Sequence, residues 1–330
     1  MKAAVYRRYG PPEVVQIENV KKPTLKKNEV LIKIHATTVS AGDWRARSLT
    51  VPKGFGLIAR ILIFGLLRPR HPILGSELAG EIEAVGTDVT KFKVGDQVFA
   101  FPGFGPGCHA EYIAMPEEGR IAPKPANLSF EAAAAISFGG TTALGYLRDK
   151  AKIQRGERVL IVGASGTVGS AAVQLAKHFG AEVTGVCSTA NLELVRSIGA
   201  DRAIDYTKED FTQSGETYDI ILDATGDASF PKCENALKPG GRLLLAVANP
   251  PQMLEAAFGS KPDNKKVLAG HAKVTAADLR LLKQLSEAGQ FKPVIDRCLP
   301  LEKIVEAHAL VDTGRKKGSV VITVSHDDRA

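Results

Sequence analysis

Residues 158–178 carry the pattern with the clearest chemical meaning. Arg158-Val159-Leu160-Ile161-Val162 has strand character and leads into Gly163-Ala164-Ser165-Gly166-Thr167-Val168-Gly169. The apolar helical run Ser170-Ala171-Ala172-Val173-Gln174-Leu175-Ala176-Lys177 follows. A buried strand, a Gly-rich turn and a helix, in that order, aim free backbone N–H groups and the positive end of a helix dipole at one point. A dinucleotide diphosphate fits there. Gly166 lets the backbone approach the anion, Gly169 lets helix and strand pack closely, and Ser165, Thr167 and Val168 complete the turn. Against G-x-G-x-x-G the first glycine is replaced by Ala164, with Gly163 just before it. A plain tight turn would use the same glycines, but five more strand units follow this one, as a nucleotide-binding sheet requires.

The end of the next strand selects the cofactor. Folds of this kind that prefer NAD place Asp or Glu there to accept from the ribose 2′-hydroxyl. Here Val183-Thr184-Gly185-Val186 runs into Cys187-Ser188-Thr189-Ala190-Asn191, and no carboxylate precedes Glu193. A 2′-phosphate meets no repulsion, and Ser188 and Asn191 can donate to it. Positive charge has to come from elsewhere, with Arg315 and Lys317 as the candidates. NADPH is therefore expected over NADH. Capping of the helix that starts near Leu192 is a compatible role for Ser188 and Asn191.

These residues need a scaffold, and the strand-helix alternation supplies it. Strands are expected at 158–162, 182–186, 202–205, 219–223, 241–247 and 266–269, with helices at 169–178, 192–198 and 230–237 between them. That alternation implies right-handed crossovers and a doubly wound parallel sheet, an α/β fold. Before residue 126 the texture is mostly β, with strands at 30–35, 78–85 and 97–100. A helix opens at 131–136. After a last helix at 276–288 the chain regains mixed character and ends in a strand at 319–324. The expected arrangement is discontinuous: 1–125 with 290–330 as one domain, and 126–289 as the inserted cofactor domain.

Bulk properties narrow the function classes. A chain of 330 residues with 44% hydrophobic and 24% charged residues suits two globular domains. The net charge of +7 comes from 43 basic against 36 acidic residues scattered along the chain, which argues against nucleic acid as a partner. Cys108, Cys187, Cys233 and Cys298 lie far apart, without zinc-ribbon spacing or a disulfide framework. The first residues, Met1-Lys2-Ala3-Ala4-Val5, have strand character rather than that of a signal peptide, so cytoplasmic residence is expected. The apolar stretch 54–68 is too short and interrupted to span a membrane. It is expected to be a lid over a hydrophobic pocket. Domain packing and transient membrane contact aided by Arg60, Arg68 and Arg70 are the alternatives.

Several segments occur together in family order: Asn28-Glu29-Val30-Leu31-Ile32-Lys33-Ile34, Gly42-Asp43-Trp44, Leu78-Ala79-Gly80-Glu81-Ile82, Val94-Gly95-Asp96-Gln97-Val98, Gly140-Thr141-Thr142-Ala143 and the turn at Gly166. With Met1–Val5 they run along nearly the whole chain. In this set the chain resembles the zinc-free, zeta-crystallin-like quinone oxidoreductase branch of the medium-chain dehydrogenase/reductase superfamily.

The resemblance implies a GroES-like, mostly-β substrate domain beside a Rossmann domain, an active site in the cleft between them, and a homodimer. It places Thr142 near the nicotinamide and Tyr206 at the adenosine phosphate. Ala224 and Thr225, then Ala246 and Val247, fall at the ribose and nicotinamide. Zinc-containing relatives take their catalytic ligands at the positions of Ser40, Ser76 and Phe138. Two serines and a phenylalanine make no zinc site, and Cys108-His109 lack partners, so no metal is expected. Without a Lewis acid to stabilise an alkoxide, conjugated acceptors are the fitting substrates: quinones and α,β-unsaturated carbonyls spread the charge themselves. Ser40, Asp43 and Trp44 are the pocket candidates, Asp43 orienting a proton donor or holding a turn, Trp44 stacking on a flat substrate or packing in the core. The rival expectations are a zinc-independent NAD(P)-dependent alcohol or aldehyde dehydrogenase, and a non-catalytic NADPH-binding or membrane-associated scaffold.

Overall fold

The computed structural model describes residues 1–50, 65, 68–103, 107–259 and 261–326. Its strands are β1 Lys2–Tyr6, β2 Val15–Asn19, β3 Glu29–Val39, β4 Leu78–Val85, β5 Gln97–Ala100, β6 Tyr112–Pro116, β7 Ile121–Pro123, β8 Arg158–Val162, β9 Glu182–Cys187, β10 Arg202–Asp205, β11 Tyr218–Asp223, β12 Leu237–Leu245, β13 Lys266–Leu268, β14 Ile295–Pro300 and β15 Ser319–Thr323. The helices are α1 Ala41–Ser48, α2 Phe130–Ala134, α3 Ser137–Leu144, α4 Thr167–His178, α5 Leu192–Ser197, α6 Phe230–Cys233, α7 Pro250–Phe258, α8 Ala276–Glu287 and α9 Ile304–Asp312.

The Rossmann part is a parallel six-stranded sheet in the order β10-β9-β8-β11-β12-β13. Helices cover both faces, so its central strands are apolar without alternation: Val159, Leu160, Ile161, Ile220, Ile221 and Leu222 are all buried. The order reverses beside β8, leaving a crevice at the carboxyl ends of β8 and β11 where such folds take their ligands.

The GroES-like part is built on β3. Its far half pairs antiparallel with β15, its near half with β6, and β4 runs along the other edge. The late strands β14 and β15 thus join the sheet laid down by the first third of the chain. Ile32, Ile34, Leu78, Ile82, Val98, Val320 and Ile322 form its core.

Local differences from the expected elements have local causes. Asp43, expected in a strand-end turn, lies in the first turn of α1. Ser40 and Asp43 form a capping box there, each side chain accepting from the other's backbone N–H. The helix expected over 230–237 is only one turn, continued as a 3-10 turn at Glu234–Ala236, and β12 starts at Leu237 rather than Gly241. Helix α7 was not expected. It too starts at a capping box, Asn249 with Gln252, and has Pro250 at its first position. The apolar stretch 54–68 lies outside the described residues except for Gly65 and Arg68.

Candidate functional site

The turn from β8 into α4 is held by close backbone packing. Gly163 has φ +77°, a left-handed conformation that favours glycine. Its carbonyl accepts from the Gly166 N–H at 3.0 Å. A Cβ on Gly169 would stand 2.0 Å from that same carbonyl oxygen, so helix and turn can meet only without a side chain there. A Cβ on Gly166, the N-cap of α4, would meet nothing nearer than 3.5 Å. One glycine is therefore required by packing, while the other leaves open space beside the backbone at the start of α4.

The loop after β9 is tied to this turn. The Asn191 side-chain amide donates to the Ser165 hydroxyl at 3.1 Å and to the Ser188 hydroxyl at 3.2 Å. Neither Ser188 nor Asn191 makes a side-chain cap to the helices that follow. Their bonds run to each other and to the phosphate turn. Tyr206 follows β10, its N–H bonded to Cys187 O, with its side chain 63% exposed beside that loop. Sequence reasoning missed Asp205, whose carboxylate accepts from the Thr189 and Thr207 hydroxyls and so brings a satisfied negative charge to the loop from the neighbouring strand.

The cations expected from the C-terminal segment are arranged differently. Arg315 and Lys317 are exposed, and their backbone N–H groups bond to Thr313 and to Asp296. It is Lys316, between them, whose Nζ donates to Thr167 Oγ1 in the first turn of α4. Thr167 Oγ1 in turn donates to Gly318 O at 2.6 Å, and the Gly318 N–H donates to Ser165 O at 2.7 Å.

At the other end of the crevice the turn Ala224-Thr225-Gly226 is set by Asp223, a buried carboxylate that sequence reasoning also missed. It accepts from the backbone N–H groups of Thr225, Gly226 and Ala228 and from the Thr225 hydroxyl. The Ala246 N–H bonds to Asp223 O, so Ala246 and Val247 are anchored beside this turn. Helix α3, which carries Thr142, runs against the first turn of α4. A Cβ on Gly139 would stand 2.5 Å from Thr167 O, so α3 crosses the start of α4 at near contact. Thr142 is half-buried, and its hydroxyl takes part in no hydrogen bond among the described residues.

Ser40 and Phe138 are tied by separate hydrogen bonds to carboxylates on either side of Ser76, Asp43 through Gly75 and Glu77 next in sequence. Asp43 accepts from the Ser40 hydroxyl at 2.6 Å and from the Gly75 N–H at 2.8 Å, which links α1 to the residue before Ser76. Glu77, fully buried, accepts from the Thr38 hydroxyl and from the Phe138 N–H, each at 2.5 Å. Burial pushes the Glu77 carboxyl up to about 7 against those two donors. The Ser76 hydroxyl is buried and without a partner. Phe138 stacks on Phe101 at 6.0 Å. One committed hydroxyl, one isolated hydroxyl and a phenyl ring do not form a zinc ligand set. Asp43 has both oxygens occupied by α1 and Gly75, so its role is to hold this corner. Trp44 packs half-buried against the GroES-like core. Cys108 and His109 are buried, and the His109 Nε2 is bound to Thr38 O.

A parallel sheet with its Gly-rich turn facing a second, GroES-like lobe defines a nicotinamide-dependent oxidoreductase. Two family profiles match: an alcohol dehydrogenase GroES-like domain over residues 26–126 and a zinc-binding dehydrogenase over residues 198–322. A 2-methylene-furan-3-one reductase of Solanum lycopersicum is 36% identical across 98% of this chain and 79% of its own length. An NADPH-dependent alkenal/one oxidoreductase, chloroplastic, of Arabidopsis thaliana is 33% identical with the same coverage. The quinone oxidoreductase structure from Coxiella burnetii superposes with a TM-score of 0.87 at 29% identity, covering 98% of this chain and 99% of that one. The chain belongs to the medium-chain dehydrogenase/reductase superfamily, in its quinone oxidoreductase branch. It is an oxidoreductase of that superfamily.

Proposed function

We propose that this protein is an NADPH-dependent reductase of α,β-unsaturated carbonyls and quinones that works without a metal. What supports this reading is the chemistry of Ser40, Ser76 and Phe138, whose side chains are a hydroxyl committed to Asp43, a buried hydroxyl without a partner and a phenyl ring. Bound NADPH supplies a hydride, and the residues here bind and orient it. Ser165, Gly166, Thr167, Val168 and Gly169 hold its diphosphate. Ser188, Asn191 and Tyr206 surround the 2′-phosphate, with Arg315 and Lys317 exposed nearby for added charge. Thr142, Ala224, Thr225, Ala246 and Val247 flank the ribose and nicotinamide.

The acceptor lies against the Ser40, Ser76 and Phe138 wall. Phe101 and Phe138 give that wall an aromatic, dry surface that suits a flat conjugated substrate. Among the described residues that wall offers a full alkoxide only one neutral donor, the Ser76 hydroxyl, because the Ser40 proton is committed to Asp43. An enone or quinone delocalises the incoming negative charge and needs chiefly to be positioned. The neighbouring carbon or oxygen then takes its proton from water. Relatives named for enone and quinone reduction agree with this chemistry. The same reading takes 1–125 with 290–330 as the substrate domain, 126–289 as the cofactor domain, and a cytoplasmic homodimer as the assembly. Among the described residues no helix is long and apolar enough to cross a membrane.

Steady-state oxidation of NADPH and NADH against a quinone, an enone and a simple ketone, with alcohol oxidation run in reverse, tests the proposal. Turnover of the two conjugated classes with NADPH preferred is expected. Turnover confined to alcohols and simple ketones would overturn it in favour of an alcohol or aldehyde dehydrogenase. Binding of NADPH with no turnover of any acceptor would favour a scaffold.

A further inference from the structure

The ammonium of Lys316 stands where a cation is electrostatically misplaced. It donates to Thr167 Oγ1 and to Gly318 O, against the first turn of the twelve-residue helix α4. A helix N-terminus carries a partial positive charge and favours anions. Among the described residues no carboxylate pairs directly with the Lys316 ammonium. The two carboxylates whose fields reach Lys316 are Glu77 and Asp296. Glu77 spends its oxygens on Thr38 and Phe138, and Asp296 accepts from the Lys317 N–H. Neither forms an ion pair with Lys316 among the described residues. Burial accordingly pulls the Lys316 amine down to about 8.

The chain goes to some length to keep it there. Gly318 runs beside Gly166 in a parallel bridge, and its N–H and C=O both bond to the turn, at Ser165 and Thr167. A Cβ on Gly318 would stand 2.0 Å from Val294 O, and its φ is +56°, so only glycine permits this approach. The segment just before β15, which belongs to the GroES-like sheet, is thereby pinned onto the diphosphate turn of the Rossmann sheet with one lysine pointing at the helix end. An ammonium has three donors, and two are used here.

We propose that Lys316 is the cation that receives the cofactor's diphosphate, reaching it from the GroES-like part of the chain, so that dinucleotide binding supplies the missing counter-charge and ties the two parts together. This rests on the dinucleotide reading of the turn. Arg315 and Lys317 then remain for the 2′-phosphate alone.

The test is calorimetric titration of the full chain with NADPH and with NADH, comparing the unmodified protein with Lys316→Met, Lys316→Arg and Arg315→Met. Losing one charge-assisted contact to the diphosphate should weaken both dinucleotides by the same factor, roughly 10- to 100-fold. Lys316→Arg should bind within a few-fold of the unmodified protein. Arg315→Met should weaken NADPH more than NADH. In the unmodified protein affinity should decline as pH rises past about 8, a slope absent from Lys316→Met. A loss confined to NADPH would make Lys316 a 2′-phosphate ligand and overturn the assignment. Undiminished binding of both by a folded Lys316→Met would also overturn it, while leaving the cofactor reading intact. If the unmodified protein bound neither dinucleotide, the cofactor reading itself would fail and this assignment with it. Melting of each ligand-free variant separates lost contacts from lost folding.

Discussion

The side-chain amide of Asn191 donates to the hydroxyl of Ser165 at 3.1 Å, joining the loop after the second Rossmann strand to the phosphate turn after the first. In the proposed function one stretch serves the adenosine and the other the diphosphate, and this bond joins them. The Asn191 carbonyl oxygen is buried and unpartnered, so the bonds made by its amide are what hold the side chain. Asn191→Ala should cut NADPH affinity by about tenfold, the worth of one to two such bonds. A fluorescence titration showing unchanged affinity would remove Asn191 from the cofactor site.

The two glycines of the turn should separate stability from binding. In Gly169→Ala the new methyl meets Gly163 O at 2.0 Å, backbone that cannot yield cheaply. Destabilisation of roughly 2 kcal/mol or more is expected. In Gly166→Ala the nearest atom is 3.5 Å away, so folding should change by less than about 1 kcal/mol while NADPH binding drops sharply. Chemical denaturation and titration of both variants would show it, and equal effects on folding would contradict this division of labour.

Glu77 predicts a pH dependence of stability. Its folded value of about 7 lies above the ordinary carboxyl range, so between about pH 4.5 and 7 the folded state keeps a proton that the unfolded chain has released. Stability from this group is full at the acid end and falls as pH rises through 7, by roughly 3 kcal/mol. Glu77→Gln cannot ionise. The stability difference between unmodified and variant protein should therefore shrink or reverse between pH 5 and pH 7.5. A difference that stays constant across that range would show that the carboxyl does not titrate there.

Chelation tests the metal-free chemistry directly. Because Ser40, Ser76 and Phe138 offer no ligand set, exhaustive dialysis against a strong chelator should leave enone or quinone reduction unchanged. Activity lost on dialysis and restored by zinc, with one ion per chain by elemental analysis, would require a site built from other residues.

The parts of this protein that a one-dimensional pattern could reveal are those whose signal is local. The strand, glycine turn and helix around Gly166 lie within twenty-one consecutive residues (158–178), and strands buried on both faces show as short unbroken apolar runs because every position in them meets the core. The capping box at Ser40 and Asp43 was equally legible, as a serine followed three residues later by an acid, yet its second residue reads as a turn aspartate if the helix is not looked for. The pairings that shape the site lie far apart along the chain: Asn191 with Ser165 across 26 residues, Phe138 with Glu77 across 61, Lys316 with Thr167 across 149. Polar side chains have no periodicity that names a distant partner. Which of Arg315, Lys316 and Lys317 reaches α4 depends on how β15 docks in a sheet begun by β3, and only the packed tertiary structure fixes that.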